Sequence, residues 1–190
     1  MKHSDIITLP NENLRKRSKR IRVVDEKVRN LAENMKKATL SWEDTRQHEV
    51  GVALAAVQVE KLLRIVVIRN SFENKSDRTF QTFINPEIVK LEGEIIEDFE
   101  GCLSVKGVYG KVPRYDKVRI KAQDLDGAPI RIKAEGFLAR VFQHEIDHTK
   151  GVMFIDHIKD KPEAFFALKA DGSLEKLDYE KDVRTNSILW

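Results

Sequence analysis

Residues 143–148 read Q-H-E-I-D-H and place two histidines four positions apart. On an α-helix, residues i and i+4 lie above one another on one face, so His144 and His148 can hold one metal ion between them. Glu145 follows the first histidine, where its carboxylate can reach a water activated by the metal and exchange a proton with it. The motif therefore predicts a hydrolytic metal centre, which needs a third protein ligand and one open position.

The alternative interpretation of this motif is a surface helix that carries two unrelated histidines. Phe142 and Ile146 weaken that alternative, because apolar residues around the motif place the helix against a core. An unpaired histidine or glutamate would be costly to bury there. We therefore interpret the motif as a metal-binding helix.

Two residues are candidates for the third ligand. His157 lies nine residues after His148, but the segment between them lacks the arm that brings a third histidine back at fixed spacing in many zinc proteases. We interpret His157 as structural. Cys102 is the single cysteine of the chain. A lone cysteine is often a small buried hydrophobe, but Cys102 is the only soft ligand that can complete the pair, and a Cys-His₂ site with an open position suits hydrolysis.

Two helices are predicted from the spacing of apolar residues. The first follows Asp25, a favourable N-cap, and extends to about Trp42. The second covers residues 137–148 and carries the histidines, and Gly151 just past its end is typical of a helix stop.

The segment between the helices, residues 51–133, has residue patterns typical of β-strands. Residues 62–68 are a β-branched run typical of a buried strand. Asn85 and Pro86 indicate a turn, and residues 88–99 indicate paired strands around Gly93. Residues 118–122 and 130–133 alternate in polarity on either side of a turn at 124–127, which predicts a hairpin.

These elements predict an α+β fold in which antiparallel β-sheets pack around a central helix that carries the HExxH motif. The length of 190 residues and the lack of repeats or a Pro/Gly-rich linker predict a single domain over residues 1–190. Residues from about 160 to 190 are predicted to form a variable C-terminal segment.

The composition, 41% hydrophobic and 34% charged, is that of a charged globular protein. A net charge of +3 does not indicate a polyanion binder, and no DNA or membrane partner is expected. One cysteine, no signal-peptide pattern and only short apolar runs predict a cytoplasmic protein. Basic residues near the N-terminus form either a phosphate-contacting patch or a solvated face: Arg15, Lys16, Arg17, Lys19, Arg20 and Arg22.

Three stretches together resemble peptide deformylases: G-V-A-L-A-A-V-Q at 51–58, E-G-C-L-S at 100–104 and Q-H-E-I-D-H at 143–148. Their order and spacing match the family, and the resemblance extends from about residue 7 to residue 158. It implies hydrolysis of the N-formyl group from the formyl-methionine of newly synthesised polypeptides, with release of formate. The family typically uses one Fe²⁺ ion and also works with Ni²⁺ or Zn²⁺.

The resemblance also implies a role for each matched residue. Cys102, His144 and His148 are similar to the metal ligands, and Glu145 to the general acid/base. The side-chain amide of Gln58 and the backbone N–H of Leu103 resemble the donors that stabilise the oxyanion. The residues similar to those that bind the substrate strand and its methionine side chain are Gly51, Val52, Ala53, Glu100, Gly101, Phe137 and Val141.

One departure from the family bears on activity. Ala53 stands where the first motif usually has glycine, and a methyl group there would interfere if the backbone required φ > 0 or very close approach of the substrate. Two alternative functions stay open. One is a non-catalytic deformylase-like binding protein that contacts the ribosome through the basic N-terminal residues or through the C-terminal tail. The other is a zinc endopeptidase with a different third ligand.

Overall fold

The computed structural model describes residues 1–74, 76–186 and 189, and within them it contains two α-helices and seven β-strands. Helix α1 spans Glu26–Glu43 and helix α2 spans Gly136–His148. The strands are β1 (Ala53–Ala55), β2 (Ile65–Arg69), β3 (Phe80–Cys102), β4 (Val105–Gln123), β5 (Pro129–Glu135), β6 (Phe165–Leu168) and β7 (Leu174–Lys176). Neither helix in this described part has the length and hydropathy needed to cross a bilayer.

All strand pairs are antiparallel, in the order β1-β2-β3-β4-β6-β7, and β5 also pairs with β4. Strands β3 and β4 contain 23 and 19 residues, so different parts of each can bind different neighbours. Strand β2 pairs with the start of β3, β6 with the start of β4, and β5 with the end of β4. The predicted α+β fold is confirmed, and its antiparallel strands belong to one hydrogen-bonded sheet.

Helix α1 follows the sequence prediction closely. Asp25 Oδ1 accepts a hydrogen bond from the backbone N–H of Val28 at 3.0 Å, which satisfies one of the free donors at the helix start. The apolar side of α1 is buried against β1, β2 and the segments that follow them. The residues of α1 on this side are Val28, Ala32, Met35, Ala38 and Trp42. Burial of this stripe accounts for much of the stability of the helix, because helices in proteins are stabilised mainly by packing of an amphipathic face.

The turn predicted at Asn85 and Pro86 is wrong. Strand β3 continues through both residues, with a register shift against β4 between Ile84 and Glu87. Asn85 has φ 52° there, a conformation that asparagine tolerates better than most residues. Its buried side chain accepts from Ile21 N at 2.8 Å and donates to Ile21 O at 2.9 Å. The same signal that indicates a turn therefore produces a β-bulge.

Residues 88–99 likewise form one strand, because their pairing partner is β4 and not a second half of the same segment. Gly93 has φ 76° at another register shift, between Glu92 and Ile95. A Cβ at Gly93 would displace the side chain of Asp116, and the positive φ favours glycine at this bulge. The hairpin predicted around residues 124–127 is confirmed as β4 and β5.

Helix α2 lies across the sheet and is buried from residue 139 to residue 148. Phe142 and Ile146 pack with Val118 and Ile120 of β4 and with other apolar residues in one core. The histidines and Glu145 are enclosed with them, which excludes the surface-helix interpretation of the motif. The predicted helix over residues 137–148 is therefore confirmed.

The two ends of the chain share a third apolar core. Leu9 and Leu14 pack there with Phe165 and Val183, which come from β6 and from the helical turn Tyr179–Arg184. The N-terminal segment also contacts the end of α2, where Ser18 N donates to Thr149 O at 2.9 Å. The end of the motif helix is thus held by a segment distant in sequence.

Gly151 provides a test of that contact. A Cβ at Gly151, which has φ 79°, would collide with the backbone carbonyl of Arg15, whereas a Cβ at Gly107, with φ 69°, would meet nothing within 4 Å. Both Gly→Ala changes carry the left-handed strain of about 1–2 kcal/mol. We expect Gly151→Ala to lower the free energy of unfolding in urea by about 2 kcal/mol more than Gly107→Ala does. Equal losses would show that the N-terminal segment does not constrain the helix end.

Candidate active site

Three ligand atoms converge where α2 passes the end of β3. His144 and His148 lie one turn apart on α2, and their Nε2 atoms are 3.2 Å apart. Cys102 Sγ, from the last residue of β3, is 3.3 Å from His148 Nε2. All three atoms lie within 4.8 Å of one another, so a single metal ion could contact them together. One thiolate and two imidazoles form a donor set that suits zinc, iron or nickel.

Glu100 orients the first histidine. Its Oε2 lies 2.9 Å from His144 Nδ1, on the side of the ring opposite the cluster. A carboxylate at Nδ1 favours the tautomer that carries its proton there, which leaves Nε2 free to bind a metal. Glu100 was predicted from the family resemblance to shape the substrate pocket. Although it lines the cavity, its carboxylate is engaged by neighbours inside the protein.

Two buried arginines surround the Glu100 carboxylate. Arg114 of β4 donates from Nε and Nη2 to its two oxygens at 2.9 and 3.1 Å. Arg140 of α2 donates from Nη1 to Oε1 at 2.8 Å and also reaches the backbone carbonyls of Val112 and Ile96. Arg114 is 5% exposed and Arg140 is 6% exposed. The charges of the arginines and of Glu100 are therefore compensated by one another inside the protein and not by water.

The same network extends to the other side of α2. Arg114 Nη1 donates to Asp147 Oδ2 at 2.5 Å, and His157 Nε2 lies 2.8 Å from the same oxygen. His157 is therefore occupied with Asp147, away from the three ligand atoms, as a structural interpretation requires. Arg114, Arg140 and Asp147 were not predicted as parts of the site, although Asp147 lies inside the HExxH motif.

The charges around the cluster favour a cation. Burial lowers the pKa of His144, but hydrogen bonds and charge from Cys102 and Glu100 raise it well above the usual value. Burial raises the pKa of Glu100, yet His144 and Arg114 hold it far below the ordinary carboxyl range. Burial and the neighbouring His144 lower the pKa of His148 well below its usual value. One positive charge is thus stabilised on His144 beside Cys102 and Glu100, whereas a second proton on His148 is disfavoured.

Glu145 has an unsatisfied carboxylate oxygen. Its side chain is buried, and Oε2 has no hydrogen-bond partner within the described residues. Burial raises the pKa of this carboxyl group to about 7. His148 Nδ1 is also buried without a partner there. Glu145 lines the same cavity as Cys102 and His144, so its carboxyl group lies beside the three ligand atoms.

Gln58 is held beside the cysteine by its own loop. Its Oε1 accepts from the backbone N–H of Ala55 at 2.8 Å, which orients the amide NH₂ group. Nε2 then lies 3.0 Å from Ser104 Oγ and 3.6 Å from Cys102 Sγ. Ser104 is a further contact that the sequence analysis missed. Leu103, between the two, also lines the cavity.

A cavity of about 310 Å³ opens in front of these groups. Apolar and aromatic side chains form much of its wall, including Trp42, Phe99, Phe137 and Val141. Phe137 is 47% exposed and packs edge to face on Phe72, with ring centroids 4.9 Å apart. Of the residues matched to the family's substrate site, those that line the cavity are Val52, Ala53, Glu100, Gly101, Phe137 and Val141.

Gly51 is not among the residues that line this cavity in the described part of the chain. Its backbone N–H donates to Glu43 Oε2 at 2.9 Å, and the same carboxylate oxygen binds Arg69 Nη1. A Cβ on Gly51 would lie 2.8 Å from the backbone oxygen of Thr39. The segment that leads into β1 therefore packs so closely on α1 that glycine is required at this position.

Strand β1 forms one edge of the sheet and pairs only with β2 in the described residues. Arg69 N donates to Val52 O at 2.8 Å, so the alternation of antiparallel pairing turns the N–H and C=O groups of Ala53 towards the free edge. Ala53 is an extended strand residue and is not among those with positive φ. Alanine is therefore compatible with this backbone, and its methyl group packs in the core beside α2.

The chain matches the family model described as polypeptide deformylase over residues 3–164. It is similar to peptide deformylases of Thermomicrobium roseum, with 46% identity over 82% of this chain and 86% of the relative, and of Aquifex aeolicus, with 40% identity over 82% and 87%. A peptide deformylase structure from Synechococcus elongatus, in complex with actinonin, aligns with a TM-score of 0.74 and 33% identity, covering 82% of this chain and 80% of that one. The chain therefore belongs to the peptide deformylase family.

Proposed function

We propose that this protein hydrolyses the N-formyl group of formyl-methionine at the start of newly synthesised polypeptides and releases formate. The observation that carries the proposal is the convergence of Cys102, His144 and His148, beside a cavity that the carboxyl-bearing residue Glu145 also lines. Membership of the peptide deformylase family supports the substrate class.

Cys102, His144 and His148 would hold one divalent ion, and we expect Fe²⁺, with Ni²⁺ or Zn²⁺ as substitutes. Such an ion supplies Lewis acidity, which polarises a carbonyl group and makes a nucleophile from water near neutral pH. Glu100 keeps His144 in the tautomer that this role needs. Arg114 and Arg140 in turn keep Glu100 ionised in the interior.

Glu145 is the general acid/base in this proposal. Its free oxygen can take the proton of the attacking water and deliver it to the departing amine. Gln58 and the backbone N–H of Leu103 would donate to the oxyanion of the tetrahedral intermediate. The fixed orientation of the Gln58 amide by Ala55 N–H supports this role, because a preoriented donor needs no rearrangement during the reaction.

The substrate would add to the free edge of β1 as an extended strand, bonding to the backbone of Ala53. The methionine side chain would enter the part of the cavity that is lined by Phe137, Val141, Gly101 and Glu100. Gly51 would act indirectly, by letting the segment before β1 pack on α1. The extended conformation of Ala53 does not require glycine, which supports activity over the alternative of a non-catalytic binding protein.

The remaining expectations concern the chain as a whole. We propose that residues 1–190 work as one domain in the cytoplasm, and the family model, which ends at residue 164, supports a variable segment beyond about 160. All of the basic residues near the N-terminus are exposed, which is compatible with transient contact with the ribosome. They are Arg15, Lys16, Arg17, Lys19, Arg20 and Arg22.

The first prediction concerns turnover. Protein loaded with Fe²⁺ or Ni²⁺ should release formate from formyl-Met-Ala-Ser, and Glu145→Ala should lower kcat by about 10²- to 10⁴-fold while metal content stays unchanged. Glu163→Ala, at an exposed position, is the control and should behave like the parent. Metal-replete protein without formate release would contradict the proposed function.

The second prediction separates deformylase ligation from that of a zinc endopeptidase. Cys102→Ser should abolish stoichiometric metal binding and formate release, because the thiolate is the third ligand. His157→Ala should keep one metal per chain, since His157 contacts Asp147 and not the ligand cluster. The opposite pattern, measured by metal analysis of purified variants, would favour the endopeptidase.

The third prediction concerns the Glu100 carboxylate. Glu100→Gln removes the charge that orients His144, and we expect metal affinity to fall by about 10- to 100-fold. Glu97→Gln on the same strand removes an equal charge from an exposed ion pair with Lys161 and should leave affinity unchanged. Competition with a chromophoric chelator measures both, and circular dichroism checks that each variant is folded. Equal affinities would remove Glu100 from its orienting role.

A further inference from the structure

The outer face of the sheet, which points away from α2, is basic. Val118 and Ile120 of β4 and Ala134 of β5 pack with α2 in one apolar core. Successive side chains of a strand point to opposite faces, so the residues between them point outwards. The cations on this outer face of β4 and β5 are Lys117, Arg119, Lys121, Arg131 and Lys133.

The strand register arranges these side chains in three rows across β3, β4 and β5. The rows are Glu87 with Lys121 and Arg131, Lys90 with Arg119 and Lys133, and Glu92 with Lys117 and Glu135. Neighbouring strands lie about 4.8 Å apart and successive rows about 6.8 Å apart. The cations therefore form a two-dimensional array and not a single stripe.

Two arginines extend the array beyond β3. Arg20 and Arg64 approach Glu87 Oε1 at 3.0 and 3.2 Å, while Lys121 binds its other oxygen at 2.8 Å. A cavity of about 250 Å³ at this end is lined by Arg20, Lys121 and Arg131 among others. We call the three rows together with Arg20 and Arg64 the outer basic face.

Positive charge is in excess here. The outer basic face has eight cationic and three anionic side chains, an excess of five, whereas the whole chain has a net charge of +3. Glu87 is shared by three cations and Glu92 by two. Arg131 and Lys133 form no ion pair with any described residue. The rest of the molecule must therefore be slightly acidic, and the field is directed to one side.

We propose that the outer basic face binds the sugar–phosphate backbone of double-helical RNA. Lysine and arginine at these separations can contact several phosphates at once, and release of counterions drives such binding. No aromatic side chain lies in the three rows, so bases are not stacked as they are by single-strand binders. The rows also lack the exposed apolar side chains that would enter a lipid surface.

The choice of RNA rests on the proposed function, because an enzyme of nascent chains meets its substrate at the ribosome, where RNA is the abundant polyanion. The position of the face supports the same partner. Helix α2 and its histidines pack on the opposite side of the sheet. Bound RNA would therefore leave the catalytic cavity open to a peptide.

The test uses the full-length metal-loaded protein and a fluorescein-labelled RNA hairpin of about 20 base pairs, followed by anisotropy between about 50 and 200 mM KCl. Lys121→Ala/Arg131→Ala/Lys133→Ala should weaken binding at least about tenfold and reduce the slope of log K against log salt by about 2 to 3. The matched control Lys37→Ala/Lys159→Ala/Lys176→Ala removes the same charge from exposed positions elsewhere and should change neither quantity. Lys133→Glu alone, at an exposed position, repeats the test with minimal risk to folding.

Three outcomes would overturn the proposal: no binding of the hairpin by the parent protein, equal losses in both triple variants, or tighter binding to phosphatidylserine vesicles through the same residues. The last would identify a membrane as the partner. Formate release from soluble formyl-Met-Ala-Ser is measured on the same samples and should be equal in all of them. Release without RNA binding would refute this inference alone, and RNA binding without release would refute the proposed function alone.

Discussion

The site depends on the ion pairs and hydrogen bonds of one buried carboxylate, that of Glu100. It joins β3 to Arg114 of β4 and to Arg140 and His144 of α2, all through contacts of 3.1 Å or less. An ionised group in the interior is tolerated only when such partners replace water, and removing one partner typically costs about 3–5 kcal/mol. The network thus fixes the height and rotation of α2 against the two long strands, and with them the ring of His144, a candidate metal ligand.

Helix α2 is stabilised by two different kinds of contact. Its apolar residues Phe142 and Ile146 pack on the sheet, which holds the helix in place without specifying its rotation closely. Its polar residues make directional contacts, with Asp147 bound to Arg114 and His144 to Glu100. Glu145 is the exception, because one of its oxygens has no partner among the described residues. Its carboxyl group therefore keeps hydrogen-bonding capacity that Glu100 and Asp147 have already used.

The edge strand and the outer basic face follow from the same sheet. Strand β1 is short and unpaired on one side, so the Ala53 backbone is open to an extended peptide. Strands β4 and β5, together with Lys90 of β3, provide the rows of cations on the sheet face that points away from α2. Charged and apolar residues alternate along these strands, as in V-R-I-K and I-R-I-K. Because acidic residues elsewhere offset the cations, the net charge of +3 does not reveal this cluster. Strand register collects them on one side.

The sequence by itself determined the motif helix, the α1 boundaries and the β4–β5 hairpin, because each depends on residues close together in the chain. Only the tertiary structure decided that Asn85 and Pro86 lie in a bulge, since Asn85 is stabilised by Ile21, far away in sequence. It likewise decided that Gly51 packs on α1 and that Glu100 orients His144. Ion pairs and close backbone contacts between distant segments leave no periodic pattern in the sequence, so their partners become apparent only when the strands are in register.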